Sequence, residues 1–377
     1  MNIEETEQTG FQKRDSQMLK GIAILMMLWH HCFLAGRFEA YPVNFWPFQE
    51  SQVVNMAEFL KICVSLFAFI SGYGLYLTRR KAKENGICTG RWVYEKLVRT
   101  LSNYWFVLAL AWIVSTFLDN RPYQVYGFEQ SVFLGIWNML IEFLGLTNLT
   151  GGELLNSTWW YMSAAVTFIV LLPLICEGFE LIGCFCTLGV ILVLPRTFMG
   201  FPGGVHFFSF LPIFCIGMMC ARYDFFTRWD CLWGGSSCGV RALKLVLMMS
   251  CLVAIYKTSY HLKETLWWDV KWNLFPVFVI LFAKDYLFKI PGINQILIFI
   301  GKHATNIFLV HTFVRYYYCE EFTYGVGGGH FALIIVALFL ISLVFSITIK
   351  FLKKAICYEM LIQKLLRMGN GLYSSCR

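Results

Sequence analysis

Residues 331–352 read FALIIVALFLISLVFSITIKFL, a run of 22 residues in which Lys350 carries the single charge. A helix that spans a bilayer needs about 20 mostly apolar residues, so this segment is long enough to cross a membrane. Nine more long apolar runs precede it, centred on residues 19–36, 58–78, 100–118, 158–176, 180–197, 205–221, 242–258, 267–284 and 294–314. The chain is therefore predicted to be an all-α, polytopic membrane helix bundle of about ten transmembrane helices.

The composition agrees with this architecture. Of the 377 residues, 58% are hydrophobic and 14% are charged, and the mean hydropathy is +0.60. Soluble domains are about 45–50% apolar and about 25% charged, so a soluble enzyme and a disordered chain are excluded. A membrane β-barrel is disfavoured because its strands alternate in short segments. The 14 cysteines lie mostly singly in apolar runs and form no CxxC pair, so no metal site is expected.

The distribution of basic residues predicts the orientation. With the N-terminus in the cytoplasm, most of the 31 Lys and Arg residues fall in segments that would face the cytoplasm, as the positive-inside rule requires. Residues 1–18 and 353–377 are then cytoplasmic tails on either side of a membrane domain of residues 19–352. Topology accounts for the net charge of +8, so membrane lipids, and no nucleic acid, are the expected surroundings.

The segment 131–148 is an eleventh apolar stretch, but it contains Asn138 and Glu142 and precedes a polar, Gly-containing run. An eleventh crossing would reverse the orientation of everything that follows it. We therefore predict a re-entrant or interfacial helix on the outer side of the membrane.

The first apolar run, LKGIAILMMLWHHCFLAG, contains two polar residues that share one face. Lys20 and His31 are eleven positions apart, which on a helix corresponds to a rise of about 16 Å and roughly three full turns. Lys20 then lies at the cytoplasmic mouth and His31 deep in the bilayer, whereas His30 points about 100° away. Such a stripe suits an anionic ligand whose far end reaches a base. The alternative for His31 is a structural hydrogen bond to a neighbouring helix.

Several residues of this run resemble the motif of a known protein family. Lys20, Gly21 and His31 are similar to the opening motif of acyltransferase family 3, a family of integral membrane proteins, with Lys where Arg is usual. In the second run, SLFAFISGYGLYL resembles the family's Phe-rich stretch through Ser71, Gly72 and Tyr73. In the basic segment after it, Lys96 and Arg99 resemble the family's paired arginines three residues apart.

Two later segments extend the resemblance to about residues 19–315. WYMSAAVTFIVLLP, which starts at Trp160, is similar to the family's Trp, Leu-Ser, Phe and Pro pattern. It departs at Ala165 and Val166, where many members carry Glu, so any role of that carboxylate is absent or supplied elsewhere. GKHATNIFLVH, which ends at His311, resembles the late Gly-Lys and Leu-Val-His motif.

The resemblance implies an O-acyltransferase that moves an acyl group from cytoplasmic acyl-coenzyme A to a hydroxyl of a cell-surface glycan or a lipid-linked glycan precursor. Acetyl-coenzyme A is the first expectation, with succinyl or a longer group left open. A multi-pass protein of the plasma (inner) membrane of a bacterium is implied, and a homodimer is left open. The assigned roles are as follows: catalytic base, His31; coenzyme A phosphates, Lys20, Lys96 and Arg99; substrate or acyl path, Ser71, Tyr73, Trp160 and His311.

Other interpretations stay open at this stage. Ten spans with a histidine at mid-depth also describe a flippase or exporter of a glycan or lipid-linked sugar, although no internal repeat is visible. Ser71 beside Gly72 could simply ease helix packing. His311 could sit at a wet interface, and Trp159 and Trp160 could be interfacial anchors.

Overall fold

The computed structural model describes residues 10–198, 206–233, 237–261 and 267–372, and the regular secondary structure of these residues is helical, without a β-strand. The helices are α1 (Lys13–Phe33), α2 (Glu50–Phe59), α3 (Ile62–Glu84), α4 (Thr89–Leu118), α5 (Arg121–Val125), α6 (Val132–Phe143), α7 (Thr147–Thr150), α8 (Trp160–Leu181), α9 (Cys184–Phe198), α10 (Phe207–Arg222), α11 (Phe225–Trp233), α12 (Cys238–His261), α13 (Trp267–Asp285), α14 (Ile293–Thr312), α15 (Glu320–Gly325), α16 (Phe331–Ala355) and α17 (Tyr358–Leu372). The predicted all-α class is confirmed.

Six helical stretches of the described chain are long and apolar enough to cross a membrane: Glu50–Glu84, Thr89–Leu118, Ser157–Leu181, Cys238–Thr258, Ile293–Tyr318 and Phe331–Ala355. A seventh results if α10 and the first part of α11, which are bent by 65° relative to each other, count as one span. Large apolar side chains on these helices face outward, and Phe117 is 86% exposed. The structure is thus that of a multi-pass membrane protein, while ten crossings and the position of the termini stay predictions.

Helix α1 is not among these six, yet it lies at the centre of the bundle. It begins at Lys13, inside the segment predicted to be a tail, and it packs against α14, α3, α2 and α16. Its side chains at Leu19, Ala23, Ile24 and Leu28 are fully buried. Neighbouring helices bury His30 and partly cover Lys20 and His31, which is why a helix of only moderate hydropathy can occupy the core.

Two glycines allow α1 and α14 to cross closely. A Cβ atom on Gly21 would overlap the carbonyl oxygen of Leu297, and one on Gly301 would overlap that of Gln17. Small residues at such a crossing let helix backbones approach each other, a common device in membrane bundles. The crossing therefore determines which residues of α1 and α14 lie at the same level along the two helix axes.

Helix α4 runs parallel to α14 in a constant register. Asn103 donates to Asn306 at 2.8 Å, and Tyr318 just beyond α14 donates to Ser115 at 2.7 Å, so the offset is 203 residues in both contacts. Residues near position 99 of α4 therefore lie level with residues near 302 of α14. The start of α4 and the crossing of α1 with α14 are at one end of the bundle.

Helix α6 occupies most of the segment 131–148, the eleventh apolar stretch of the sequence. Its 12 residues rise only about 18 Å, whereas a crossing needs about 30 Å of helix. The Glu142 carboxylate is fully buried and accepts hydrogen bonds from the Tyr126 hydroxyl and from the backbone N–H of Leu155. Burial raises the pKa of Glu142 to about 7. Helix α6 is too short to cross a membrane unaided, and its re-entrant or interfacial position stays a prediction.

Candidate active site

Two histidines meet in the core where α1 and α14 rise from their crossing. The imidazole centroids of His31 and His311 are 4.9 Å apart. Each histidine follows its crossing glycine, Gly21 or Gly301, by ten residues, which is a rise of about 15 Å along either helix. Equal offsets from a shared crossing bring the two rings to the same level.

The hydrogen bonds of His311 define its tautomer. Its Nδ1–H donates to the carbonyls of Phe308 at 2.9 Å and Ile307 at 3.2 Å, while Nε2 lies 3.2 Å from the Thr312 hydroxyl as an acceptor. The side chain is fully buried, so the interpretation of His311 as a residue at a wet interface is wrong. A ring fixed in this way presents a lone pair in a constant direction.

His30 and His31 have different surroundings although they are neighbours. His30 is buried and its Nδ1 lies 2.7 Å from the carbonyl oxygen of Ala57 on α2. His31 keeps part of its side chain accessible, and its buried Nδ1 has no hydrogen-bond partner among the described residues. Buried polar atoms without partners are uncommon, and they concentrate at functional positions. The structure therefore gives His30 a packing contact and leaves His31 with unused bonding capacity.

The backbone changes form just beyond His311. Phe313–Tyr318 is a π-helical segment, a form that appears frequently at functional sites. It carries Arg315, whose side chain is fully buried. None of the three guanidinium nitrogens of Arg315 has a hydrogen-bond partner in the described part of the chain. Sequence reasoning missed this residue because the apolar run was taken to end at residue 314.

A cleft of about 710 Å³ opens at this end of the molecule. It is lined by Gly36, Arg37, Asp119, Arg121, Ser157, Tyr316, Tyr317 and Glu320. The guanidinium of Arg121 lies 3.8 Å from the centre of the Tyr317 ring and donates to the Leu155 carbonyl at 3.0 Å. Burial and the nearby charge of Arg315 lower the pKa of Arg37. We call this cavity the arginine cleft.

The opposite end holds the residues predicted to bind coenzyme A. Lys20 immediately precedes Gly21 at the α1–α14 crossing, and Arg99 lies level with Lys302 through the register of α4 with α14. Lys96 lies one turn before Arg99, with its ammonium group 6.0 Å from the Trp92 ring centre. We call this region the lysine end. Lys20, Lys96 and Arg99 therefore lie at about the same level of the bundle.

Of the residues predicted to line the substrate or acyl path, His311 is in the histidine pair, whereas Ser71, Tyr73 and Trp160 lie outside it. Ser71 lies beside Tyr161, and a Cβ atom on the adjacent Gly72 would overlap the backbone of Phe214, so close packing of α3 with α10 is evident there. Tyr73 belongs to an aromatic cluster with Phe11 and Phe226. Ser71 is linked to the histidine pair indirectly, because Tyr161 packs on Phe308 and Phe308 packs on His311.

The two tryptophans at the start of α8 differ. Trp159 is fully buried and donates to the Leu309 carbonyl at 3.0 Å, so its interpretation as an interfacial anchor is wrong. This bond holds α8 against α14 two residues before His311. Trp160 is half-buried and packs on Phe210.

Comparison with known proteins identifies the family. The acyltransferase 3 sequence model, described as an acyltransferase domain, matches residues 15–351. The chain belongs to this acyltransferase family. The match covers α1 through most of α16, so the histidine pair, the arginine cleft and the lysine end all belong to the family domain. The protein is thus a membrane acyltransferase. No curated protein and no solved structure matches the chain.

Proposed function

We propose that this protein transfers an acyl group, acetyl in the first instance, from acyl-coenzyme A to a hydroxyl of a cell-surface glycan or lipid-linked glycan precursor. Family membership supports the acyl transfer. The observation that carries the proposal is the contact of His31 with His311, 4.9 Å between ring centroids, between the lysine end and the arginine cleft. Acyl-coenzyme A would then approach the imidazole pair from the lysine end, and the acceptor glycan would approach it from the arginine cleft.

The lysine end suits the phosphates of coenzyme A. Ammonium and guanidinium groups form strong, charge-assisted hydrogen bonds with phosphate oxygens. Lys20 lies about 16 Å along α1 from His31, so a pantetheine arm beside α1 would bring the thioester toward the imidazole. Lys302, Lys350 and Lys353 add positive charge to this end, and none of them forms an ion pair within the described residues.

His31 is the proposed general base. The acceptor hydroxyl oxygen attacks the thioester carbonyl carbon while a neutral imidazole nitrogen of His31 takes the hydroxyl proton. The new C–O bond replaces the C–S bond, and the proton passes to the departing thiolate, which gives an acyl ester and free coenzyme A. General-base catalysis contributes about 10²–10⁴-fold. His311, with its ring held by two carbonyls, orients the acceptor.

The arginine cleft is the proposed entrance for the acceptor. Tyr316 and Tyr317 offer ring faces on which a sugar can stack. With the predicted orientation this cleft opens on the outer side of a bacterial plasma membrane. Acyl-coenzyme A reaches the lysine end from the cytoplasm.

The test is turnover of labelled acetyl-coenzyme A by the purified protein in lipid nanodiscs. We expect release of free coenzyme A and transfer of label to glycan, both abolished by His31→Ala. A flippase or exporter would release no coenzyme A under the same conditions. Mass spectrometry of surface glycans from cells with and without the intact gene then identifies the acceptor.

A further inference from the structure

Arg315 is a buried cation without a counter-ion. Its side chain has no exposed surface, and its Nε, Nη1 and Nη2 atoms lack hydrogen-bond partners among the described residues. The neighbouring Tyr324 hydroxyl donates to the carbonyl of Cys32 at 2.9 Å. The guanidinium lies 5.4 Å from the centre of the Tyr316 ring and also interacts with the Tyr324 hydroxyl, so the neighbours that it contacts carry no negative charge.

Such an arrangement is costly for a structural residue. Buried charges in proteins are paired or bind ions, because removal of a charge from water is expensive. In the membrane-embedded core of a bundle, an ionisable residue without a partner indicates a functional position. The missing partner of Arg315 is therefore expected to be a group that arrives with a substrate.

A second arginine stands close to the first. Arg37 lines the arginine cleft, and its charge and that of Arg315 are near enough to disfavour each other. Arg37 also makes no ion pair within the described chain. Two like charges that disfavour each other, one of them inaccessible to water, would both be stabilised by an anion bound near them.

The acidic residues of the cleft do not fill this role. Asp119 accepts hydrogen bonds from the backbone N–H of Arg121 and from the Tyr318 hydroxyl, both at 3.2 Å. Glu320 lines the cleft but lies beyond ion-pair distance of Arg315 and Arg37. Neither carboxylate of the cleft therefore neutralises Arg37, which lines it, or the buried Arg315 next to the lining residue Tyr316.

We propose that Arg315 and Arg37 form an anion site that holds a carboxylate or phosphate group of the acceptor glycan. This inference rests on the proposed function and adds the class of acceptor, an acidic glycan. Arg315 lies one helical turn beyond His311 on the same chain segment. When the anionic group of the glycan is bound there, only a hydroxyl at the right distance from that group can reach His31. The anion site therefore selects which hydroxyl is acylated.

The experiment uses the full protein in nanodiscs with ¹⁴C-labelled acetyl-coenzyme A. Envelope glycans from the cells that carry the gene are separated by anion exchange into acidic and neutral fractions, and each fraction is offered as acceptor. The variants are Arg315→Gln, Arg315→Lys and Arg37→Gln. Arg80→Gln, on the exposed end of α3 beside Glu84, is the matched control.

We expect wild type and Arg80→Gln to label the acidic fraction. Arg315→Gln and Arg37→Gln should lose on the order of 30-fold in labelling, as expected when one side of a buried charged contact is removed, and Arg315→Lys should retain part of it. The thermal midpoint of Arg315→Gln should equal or exceed that of wild type, because the unpaired charge is removed. A lower midpoint together with unchanged labelling per folded molecule would show that Arg315 is structural.

Other outcomes overturn the assignment in distinguishable ways. Label that enters only the neutral fraction, with no effect of Arg315→Gln, rules out the acidic acceptor while the acyltransferase stands. A parallel reaction with labelled succinyl-coenzyme A tests the other source of a carboxylate. Arg315-dependent transfer of succinyl, and not acetyl, to neutral glycan would place the anion on the acyl group. No coenzyme A release by wild type would refute the proposed function itself.

Discussion

The His31 imidazole is the group on which the proposed chemistry depends, and its neighbour provides the control. We expect His31→Ala to lose at least about 100-fold in acyl transfer, because a general base contributes about 10²–10⁴-fold. His30→Ala should retain most of its turnover, since that ring is engaged with the Ala57 carbonyl, and it should lower the thermal midpoint instead. More than about a tenth of wild-type turnover in folded His31→Ala would contradict the role of base.

Arg99 tests the lysine end. Arg99→Ala should raise the apparent KM for acyl-coenzyme A and weaken its dependence on salt, because a charge that attracts phosphate is lost. Arg91→Ala is the matched control on the same helix, since Arg91 is already paired with Glu95 at 3.1 Å. Steady-state kinetics at two ionic strengths separates the variants. Equal KM values for Arg99→Ala and wild type at both ionic strengths would remove Arg99 from the donor site.

The sequence allows only part of this site to be predicted at the level of single residues. Helical periodicity separates His31 from His30, because neighbouring residues on a helix differ by about 100°. The contact of His31 with His311 could not be predicted in this way. The two residues are 280 positions apart in the chain, and no local sequence pattern encodes their pairing. Arg315 could have been found by one rule, that an arginine next to an apolar run needs a partner.

Among helix contacts, the crossing of α1 with α14 sets the level of the two histidines. Gly301→Ala should destabilise the protein by about 1–3 kcal/mol, because the added Cβ atom overlaps the Gln17 carbonyl and overpacks the crossing. It should also reduce turnover as the helices separate. Gly74→Ala is the control, since a Cβ atom there meets nothing within 4 Å. Thermal unfolding followed by tryptophan fluorescence measures the stability of both variants. Equal midpoints for Gly301→Ala and Gly74→Ala would contradict the tight crossing.

Helix α6 contains a buried carboxylate whose protonation affects stability. Its carboxylate, Glu142, has a pKa raised by burial from 4.5 to about 7, so the folded state favours the protonated form. The resulting stability is fully present below pH 4.5 and is lost as the pH rises through about 7. Glu142→Gln should remove this decline. Midpoints measured from pH 4.5 to 8 test it, and parallel curves for the variant and wild type would show that Glu142 does not titrate in this range.

Hydropathy explains which helices could be predicted and which could not. The runs that became α3, α4, α8, α12, α14 and α16 are recognised from composition alone. Helix α1 is predicted less well: the apolar run starts at residue 19, but the helix begins at Lys13, because Gln12 and Asp15 form a capping box at its first turn. The amphipathic α17, which buries Ile362 and Leu366 against Val98 of α4, lies in the segment predicted only as a tail.

For the molecule as a whole, the orientation in the membrane is testable by labelling. In a variant whose exposed native cysteines are replaced, a cysteine at Glu153 should react with an impermeant thiol reagent applied to intact cells. Cysteines at Arg228 and Lys364 should react only after permeabilisation, because the positive-inside rule places both in the cytoplasm. Reaction at Arg228 from outside, without reaction at Glu153, would show that α6 crosses the membrane.

The central position of α1 has a consequence for biogenesis. Helix α1 leaves the ribosome first, but α14, its most extensive partner, begins only at Ile293, 260 residues after α1 ends at Phe33. At about 5–20 residues per second, the first helix waits roughly 13 to 50 seconds for that partner. During this interval Lys20, His30 and His31 have no α14 to cover them. The nascent chain therefore depends on its insertion machinery to hold α1 until α14 has been synthesised.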